Sequence, residues 1–188
     1  MERRRAILNA AEALLTEQGY EAATLKAVGE RAGIPIASLY HYFPDRHQVD
    51  AELLQRHCDA LDPLVSAALE AAEVITLRDA TDAVIDAMRD YFRAHPSCVE
   101  LWFAGRHTLL VELVRNFDQT QAERTWHFLR ARGLISEDTP QYVLQFVFEV
   151  GNRLFDVAFR HSPTGDETAI DEARRVATAY LETYVPRT

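Results

Sequence analysis

Residues 33–46 read Gly33-Ile34-Pro35-Ile36-Ala37-Ser38-Leu39-Tyr40-His41-Tyr42-Phe43-Pro44-Asp45-Arg46. Gly33-Ile34 makes a sharp turn, and Pro35 suits the first turn of a helix, where a missing N–H costs nothing. The spacing predicts a short helix over about Pro35 to Tyr42, broken by Phe43-Pro44-Asp45, with Asp45 capping a further helix from Arg46. Just upstream, Thr24 stands as an N-cap before Leu25–Ala32. Two short helices joined by a tight glycine-containing turn meet the physical requirements of a helix-turn-helix. Leu39 and Phe43 anchor the inner side of the second helix. Ile36, Ala37, Ser38, Tyr40, His41 and Tyr42 are left for its outer side and flanks. The polar groups among them can hydrogen-bond a phosphate oxygen or a base edge. From the residues alone, Tyr40 and Tyr42 read equally well as half-buried packing between two helical blocks, since this shape recurs in helical proteins that never meet DNA.

Working outward, the chain reads as helix after helix, with prolines and glycines at the breaks. The first helix, about Glu2 to Gln18, carries Ile7, Leu8, Ala11, Leu14 and Leu15 on one stripe. Pro63 is expected to kink or end the fourth helix. A fifth is expected over about Leu77–Ala94, a sixth over Cys98–Ala104 ending at Gly105, and a seventh over His107–Arg132. An eighth is expected from Thr139-Pro140 to about His161 and a ninth over Asp166–Tyr184. No strand-like alternation of useful length occurs, so the expected class is all-α with about nine helices. The expected domains are a head over residues 1–47 and a helical body over 48–188.

The 188 residues carry a net charge of −9. The head balances six basic against six acidic side chains, so the whole excess falls on the body. An acidic chain is a poor general binder of nucleic acid, but a neutral head with clustered arginines can engage DNA locally. No apolar run approaches the roughly 18 residues needed to span a bilayer. Glu12 and Glu17 interrupt the apolar N-terminal stretch, which argues against a signal peptide. Cys58 and Cys98 match no metal spacing and read as reduced thiols of a cytoplasmic protein. There is no phosphate-binding glycine loop, no His-Glu-x-x-His and no nucleophile motif, so no enzyme, cofactor or metal is expected.

The body is rich in large side chains: Met88, Tyr91, Phe92, Trp102, Phe103, Phe117, Trp126, Phe128, Phe146, Phe148 and Phe155. Singly each reads as core. Arg106, His107, Glu112 and Asn152 are candidate polar groups for orienting a guest. The eighth helix has two apolar faces, one with Val143, Val147, Val150, Leu154 and Val157, the other with Leu144, Phe148, Phe155 and Phe159. Both must be covered, either by one monomeric core or by a second copy. Gly151 permits close approach of another helix, and the ninth helix offers Ile170, Ala173, Val176, Ala177, Tyr180, Leu181 and Tyr184.

The stretches Ile7-Leu8-Asn9-Ala10-Ala11, Gly19 to Leu25, Ala32-Gly33-Ile34 and Ser38 to Arg46 together resemble the amino-terminal domain of the tetracycline-repressor-type (TetR) family of bacterial regulators. The resemblance covers about residues 5–54. It implies DNA contact by Thr24, Lys26, Pro35, Ile36, Ala37, Ser38, Tyr40, His41, Tyr42 and Arg46. Ile36, Ala37, Ser38 and Tyr40 fall where the family meets base edges. Thr24, His41, Tyr42 and Arg46 fall where it meets the backbone, and Arg3 to Arg5 where a basic tail trails along the duplex. Ile36 and Ala37 depart from the polar residues common at those positions and suit contact with thymine methyls. The resemblance also implies an effector cavity among Met88, Tyr91, Phe92, Trp102, Phe103, His107, Phe117, Trp126, Phe148 and Asn152. It implies a homodimer through Val147, Gly151, Leu154, Ala173, Val176, Ala177 and Tyr180. The expected function is therefore a regulator, a repressor released from double-stranded operator DNA by a small apolar or aromatic molecule. The rival expectation is a helical dimeric ligand-binding or structural protein without DNA binding.

Overall fold

The computed structural model describes residues 2–71, 73–103 and 107–186, excepting the side chain of His161. Among the described residues there are nine helices and no strand. They are α1 (Glu2–Gln18), α2 (Leu25–Ala32), α3 (Ile36–Tyr42), α4 (Arg46–Leu69), α5 (Leu77–Ala94), α6 (Pro96–Trp102), α7 (Thr108–Ala131), α8 (Tyr142–His161) and α9 (Glu167–Glu182). None is long and apolar enough to cross a membrane.

Caps place several of these boundaries. Thr24 accepts from the Ala27 N–H at 3.2 Å, Asp45 from Gln48 at 3.0 Å, and Asp166 from Ala169 at 3.0 Å. Gly33 closes α2 in the left-handed region, φ 65°, with its N–H turned back to Glu30. Three expectations shift. Pro35 is the N-cap residue of α3 rather than its first helical position, and offers no side-chain cap. Pro96 instead takes the first turn of α6, which starts two residues earlier than expected and ends at Trp102; Gly105, its expected terminator, lies outside the described residues. Pro63 does not end α4, which runs on to Leu69.

Two compact units emerge. The first joins the chain up to Asp59 with Ala94–Val114; the second joins Ala60–Arg93 with Arg115–Thr188. The first thus takes in α6 and the start of α7 as well as the head, because α6 packs against α1. There Glu100 of α6 accepts from the Tyr20 N–H at 3.0 Å, holding the α1–α2 loop. The core of this unit is Ile7, Leu8, Leu14 and Leu15 of α1 with Val28, Leu39, Phe43, Leu53 and Leu54.

In the second unit α8 lies against α9. Its core draws on Phe92 of α5, Leu129 of α7, Val143, Leu144 and Phe155 of α8, and Ile170 and Leu181 of α9. Phe92 meets Phe155 and Phe159 edge-on at 6.0 and 5.6 Å between centroids. Arg174 of α9 reaches Asp82 and Asp86 of α5, and Arg124 of α7 reaches Asp62 of α4. These pairs fix the register of helices whose apolar contacts alone would tolerate sliding.

Candidate nucleic-acid interface and effector cavity

The head presents α3 by burying one side of it. Leu39 and Phe43 are fully enclosed, whereas Ile36, Ala37, Tyr40 and His41 are exposed and Ser38 and Tyr42 half-buried. Gly29 of α2 makes this possible: a Cβ there would stand 3.0 Å from the Ile34 carbonyl oxygen and 3.5 Å from Leu39 Cδ1. Exposure settles the direction of Tyr40, which at 53% is no packing residue of this unit. Thr24 and Lys26 also lie on the exposed surface at the start of α2, where backbone N–H groups favour an anion.

The arginines behave differently from a free basic fringe. Arg4 donates to both Glu52 carboxylate oxygens at 2.9 Å and to the Tyr42 carbonyl at 3.3 Å, and lies 4.5 Å over the Phe43 ring. It ties α1 to the end of α3 and to α4. Arg46 lies 3.7 Å over the Tyr20 ring, donates to the Tyr20 carbonyl, and stands 3.4 Å from Asp50. Its guanidinium is therefore turned into the unit in this structure, not toward a ligand. Arg31 is paired with Glu17 across the surface.

A second candidate site is a small cavity in the second unit, about 60 Å³ in volume. α5, α7, α8 and α9 all contribute walls. Met88, Phe148 and Asn152, expected in such a site, line it. So do smaller groups the sequence did not single out, among them Ala80, Val84, Ile85 and Leu129. Trp102, Phe103 and His107 belong to the other unit. Tyr91, Phe92, Phe117 and Trp126 are in this unit but outside the lining. Trp126 donates its indole N–H to the Thr139 carbonyl at 2.9 Å, and Glu112 faces solvent on α7. Arg106 lies outside the described residues.

The walls are nearly all apolar, with three polar exceptions. The hydroxyls of Thr81 and Thr125 are buried and have no hydrogen-bond partner. Asn152 donates to Asp118, whose carboxyl is pushed well above the usual carboxylate range by burial first and by Glu149 second. Unpartnered buried hydroxyls cost roughly 1–3 kcal/mol each unless something bonds them. They supply polar contacts for a guest that is otherwise apolar.

On the outer side of α8 and α9 runs an open apolar groove lined by Phe146, Val147, Val150, Gly151, Ala173, Val176, Ala177 and Tyr180. All the expected interface residues but Leu154 line it. Exposed Tyr142, Phe146, Val150, Val157 and Val176 extend it along the helices. Phe146, grouped with the aromatics of the body, is 53% exposed, and Val143, on the same expected face as Val147 and Val150, is buried. Val147, Gly151, Ala173 and Ala177 line both groove and cavity.

Residues 7–53 match the family model of bacterial regulatory proteins of the tetR family, and residues 76–181 that of the tetracyclin repressor-like C-terminal domain. The chain is 41% identical over 61 residues to the HTH-type transcriptional repressor KstR of Rhodococcus jostii, covering 32% of this chain and 29% of that protein. It is 34% identical over 90 residues to the HTH-type transcriptional activator FasR of Mycolicibacterium smegmatis, covering 45% and 40%. These matches thus span well under half the length of the curated relatives. The crystal structure of a TetR-family transcriptional regulator from Streptomyces coelicolor aligns over 98% of each chain, with TM-score 0.66 and 31% identity.

Proposed function

The chain belongs to the tetracycline-repressor (TetR) family of bacterial regulatory proteins, and from that premise we propose that it binds operator DNA through α3 and yields it when a small apolar molecule fills the cavity of the second unit. Regulators of this family bind DNA operators and small-molecule effectors, act as dimers, and are generally not enzymes. The observation that carries the reading is the outward face of α3. Ile36, Ala37, Tyr40 and His41 stand clear of the core in a helix too short to be stable by itself. In this reading residues 1–47 supply the DNA contacts and 48–188 the effector and dimer contacts. Thr24, Lys26, Pro35, His41 and Tyr42 flank the base-reading positions Ile36, Ala37, Ser38 and Tyr40 on the phosphate backbone. Arg46 joins them by turning from Tyr20 toward a phosphate, or stays as a brace for the α1–α2 loop.

The groove on α8 and α9 supports the dimer: a second copy laid on the same patch gives an isologous four-helix bundle and sets two heads at a fixed separation. Filling the cavity changes the relative free energies of two arrangements of α4, the helix that carries the chain from head to body. The lining supports an effector that is mostly hydrocarbon, with one or two groups able to bond Thr81, Thr125 or Asn152. Repression follows the KstR similarity, and the FasR similarity makes activation the second outcome.

The test is fluorescence anisotropy with duplex fragments from upstream of the protein's own coding region. Two chains per fragment, weakening on Tyr40→Ala and release by a panel of apolar compounds support the reading. No binding to any fragment at low salt defeats it and leaves a helical ligand-binding dimer.

A further inference from the structure

We propose that His47, Asp50 and His107 form a binding site for a divalent transition-metal ion, of the zinc or cobalt class, in the first unit. His47 and Asp50 sit on the first two turns of α4, one on each side of Gln48 and Val49; His107 immediately precedes α7. The imidazoles of His47 and His107 lie 4.3 Å apart between centroids, and His107 Nε2 is 3.9 Å from Asp50 Oδ2. One donor atom from each residue falls within 4.8 Å of the others. Some point is therefore within about 2.8 Å of all three. A contraction of about 0.7 Å brings them to the roughly 2.0–2.2 Å of zinc bonded to His nitrogen and carboxylate oxygen. Two imidazoles and a carboxylate leave a fourth position open, and this donor set suits zinc, cobalt and nickel more than calcium or magnesium.

Two observations point to a missing ligand. Both ring nitrogens of His107 are buried and neither has a hydrogen-bond partner. In a neutral imidazole one nitrogen donates and the other accepts, so two orphaned atoms are a double penalty that a metal and its attached water would relieve. Asp50 is 2% exposed, an unusual place for a carboxylate with only one neutral hydrogen bond, from Tyr20 at 2.8 Å. Arg46, 3.4 Å from Asp50, is a cation that works against an ion there. Its hold on Tyr20 rather than on Asp50 alone leaves room for sharing.

A rival cluster in the same unit, Glu12, His57 and His95, has comparable spacing, but His57 Nε2 is already 3.2 Å from Ser97 Oγ. The test uses the full chain without a polyhistidine tag, freed of metal and titrated with Co²⁺ and Zn²⁺. The expected result is one ion per chain, with the intense visible absorption of low-coordinate cobalt and a raised melting temperature. His47→Ala, an exposed position whose loss leaves the fold intact, is expected to weaken binding at least tenfold and to abolish the thermal gain, as is His107→Gln. The proposal is overturned if the parent chain binds no ion at micromolar concentration, if both variants bind as tightly as the parent, or if His95→Gln alone removes binding.

Discussion

Ile36 puts an apolar side chain, 42% exposed, at the N-terminal end of α3, where a polar residue would be better solvated. In the proposed operator complex the partner expected for it is a thymine methyl in the major groove. Ile36→Ala is expected to weaken binding to the preferred operator by roughly tenfold, about 1.4 kcal/mol, at unchanged melting temperature; binding to fragments lacking thymine at that step stays as it was. A competition assay with single-base operator variants reads this directly. His57 makes a different residue-level prediction. Burial first, and the neighbouring His95 second, take its pKa from 6.5 down to about 4. The unfolded chain therefore gains a proton near pH 6.5 that the folded chain refuses until about pH 4. Stability contributed by the neutral ring is intact above pH 6.5 and falls through this window by on the order of 3 kcal/mol. Urea unfolding at several pH values checks it, with His57→Gln expected to flatten that part of the curve. Neither burial nor the partner was visible in the sequence, where His57 was one of seven scattered histidines.

At the scale of the element, what could be read in advance was whatever local chemistry dictates. α1 and α5 begin and end where their apolar periods and flanking residues place them, and α2 is bounded by Thr24 and Gly33. The inner side of α3 was legible from Leu39 and Phe43, but whether Tyr40 faced solvent or a neighbouring block was decided only by its exposure. Less legible was α8. Its period revealed two apolar faces but not how much of each the chain itself covers: Val143 is buried, whereas Val150 of the same face and Phe146, on neither face, are exposed. A helix apolar on both sides carries no internal mark of which side meets its own chain. The cavity lining was missed for a related reason: aromatic bulk suggests a pocket, whereas open space here is left by Ala80, Ala173 and Ala177 beside Met88 and Phe148. Trp102, Phe103 and His107 went to the other unit through the long-range packing of α6 on α1. Gly29 supplies the element-scale prediction. Gly29→Val drives methyl groups against the Ile34 carbonyl oxygen and Leu39. It is expected to cost about 1–3 kcal/mol and to lower the melting temperature by roughly 2–4 °C for each of those. Loss of DNA affinity should exceed what the change in folded fraction explains, since α3 is displaced before the unit unfolds.

For the whole molecule the question is assembly. An exposed strip holding Tyr142, Phe146, Val150, Val157 and Val176 is costly for a chain that stays alone in water. Phe146→Glu puts a charge in the middle of the strip and removes an aromatic. It is expected to leave the circular-dichroism spectrum of a folded helical chain, to halve the mass by light scattering, and to reduce operator affinity by at least a hundredfold, because two separate heads lose the advantage of being tethered. A folded variant that remains dimeric would place the contact elsewhere.

The seam of Val147, Gly151, Ala173 and Ala177 has one side in the groove and the other in the cavity. If the proposed function holds, guest and neighbour press on the same four residues, and the two bindings are expected to be linked. Reciprocity then requires that progressive dilution of the protein change its grip on the effector by the same factor by which the effector changes self-association. Isothermal titration repeated across a hundredfold range of protein concentration would register that linkage as a drifting Kd.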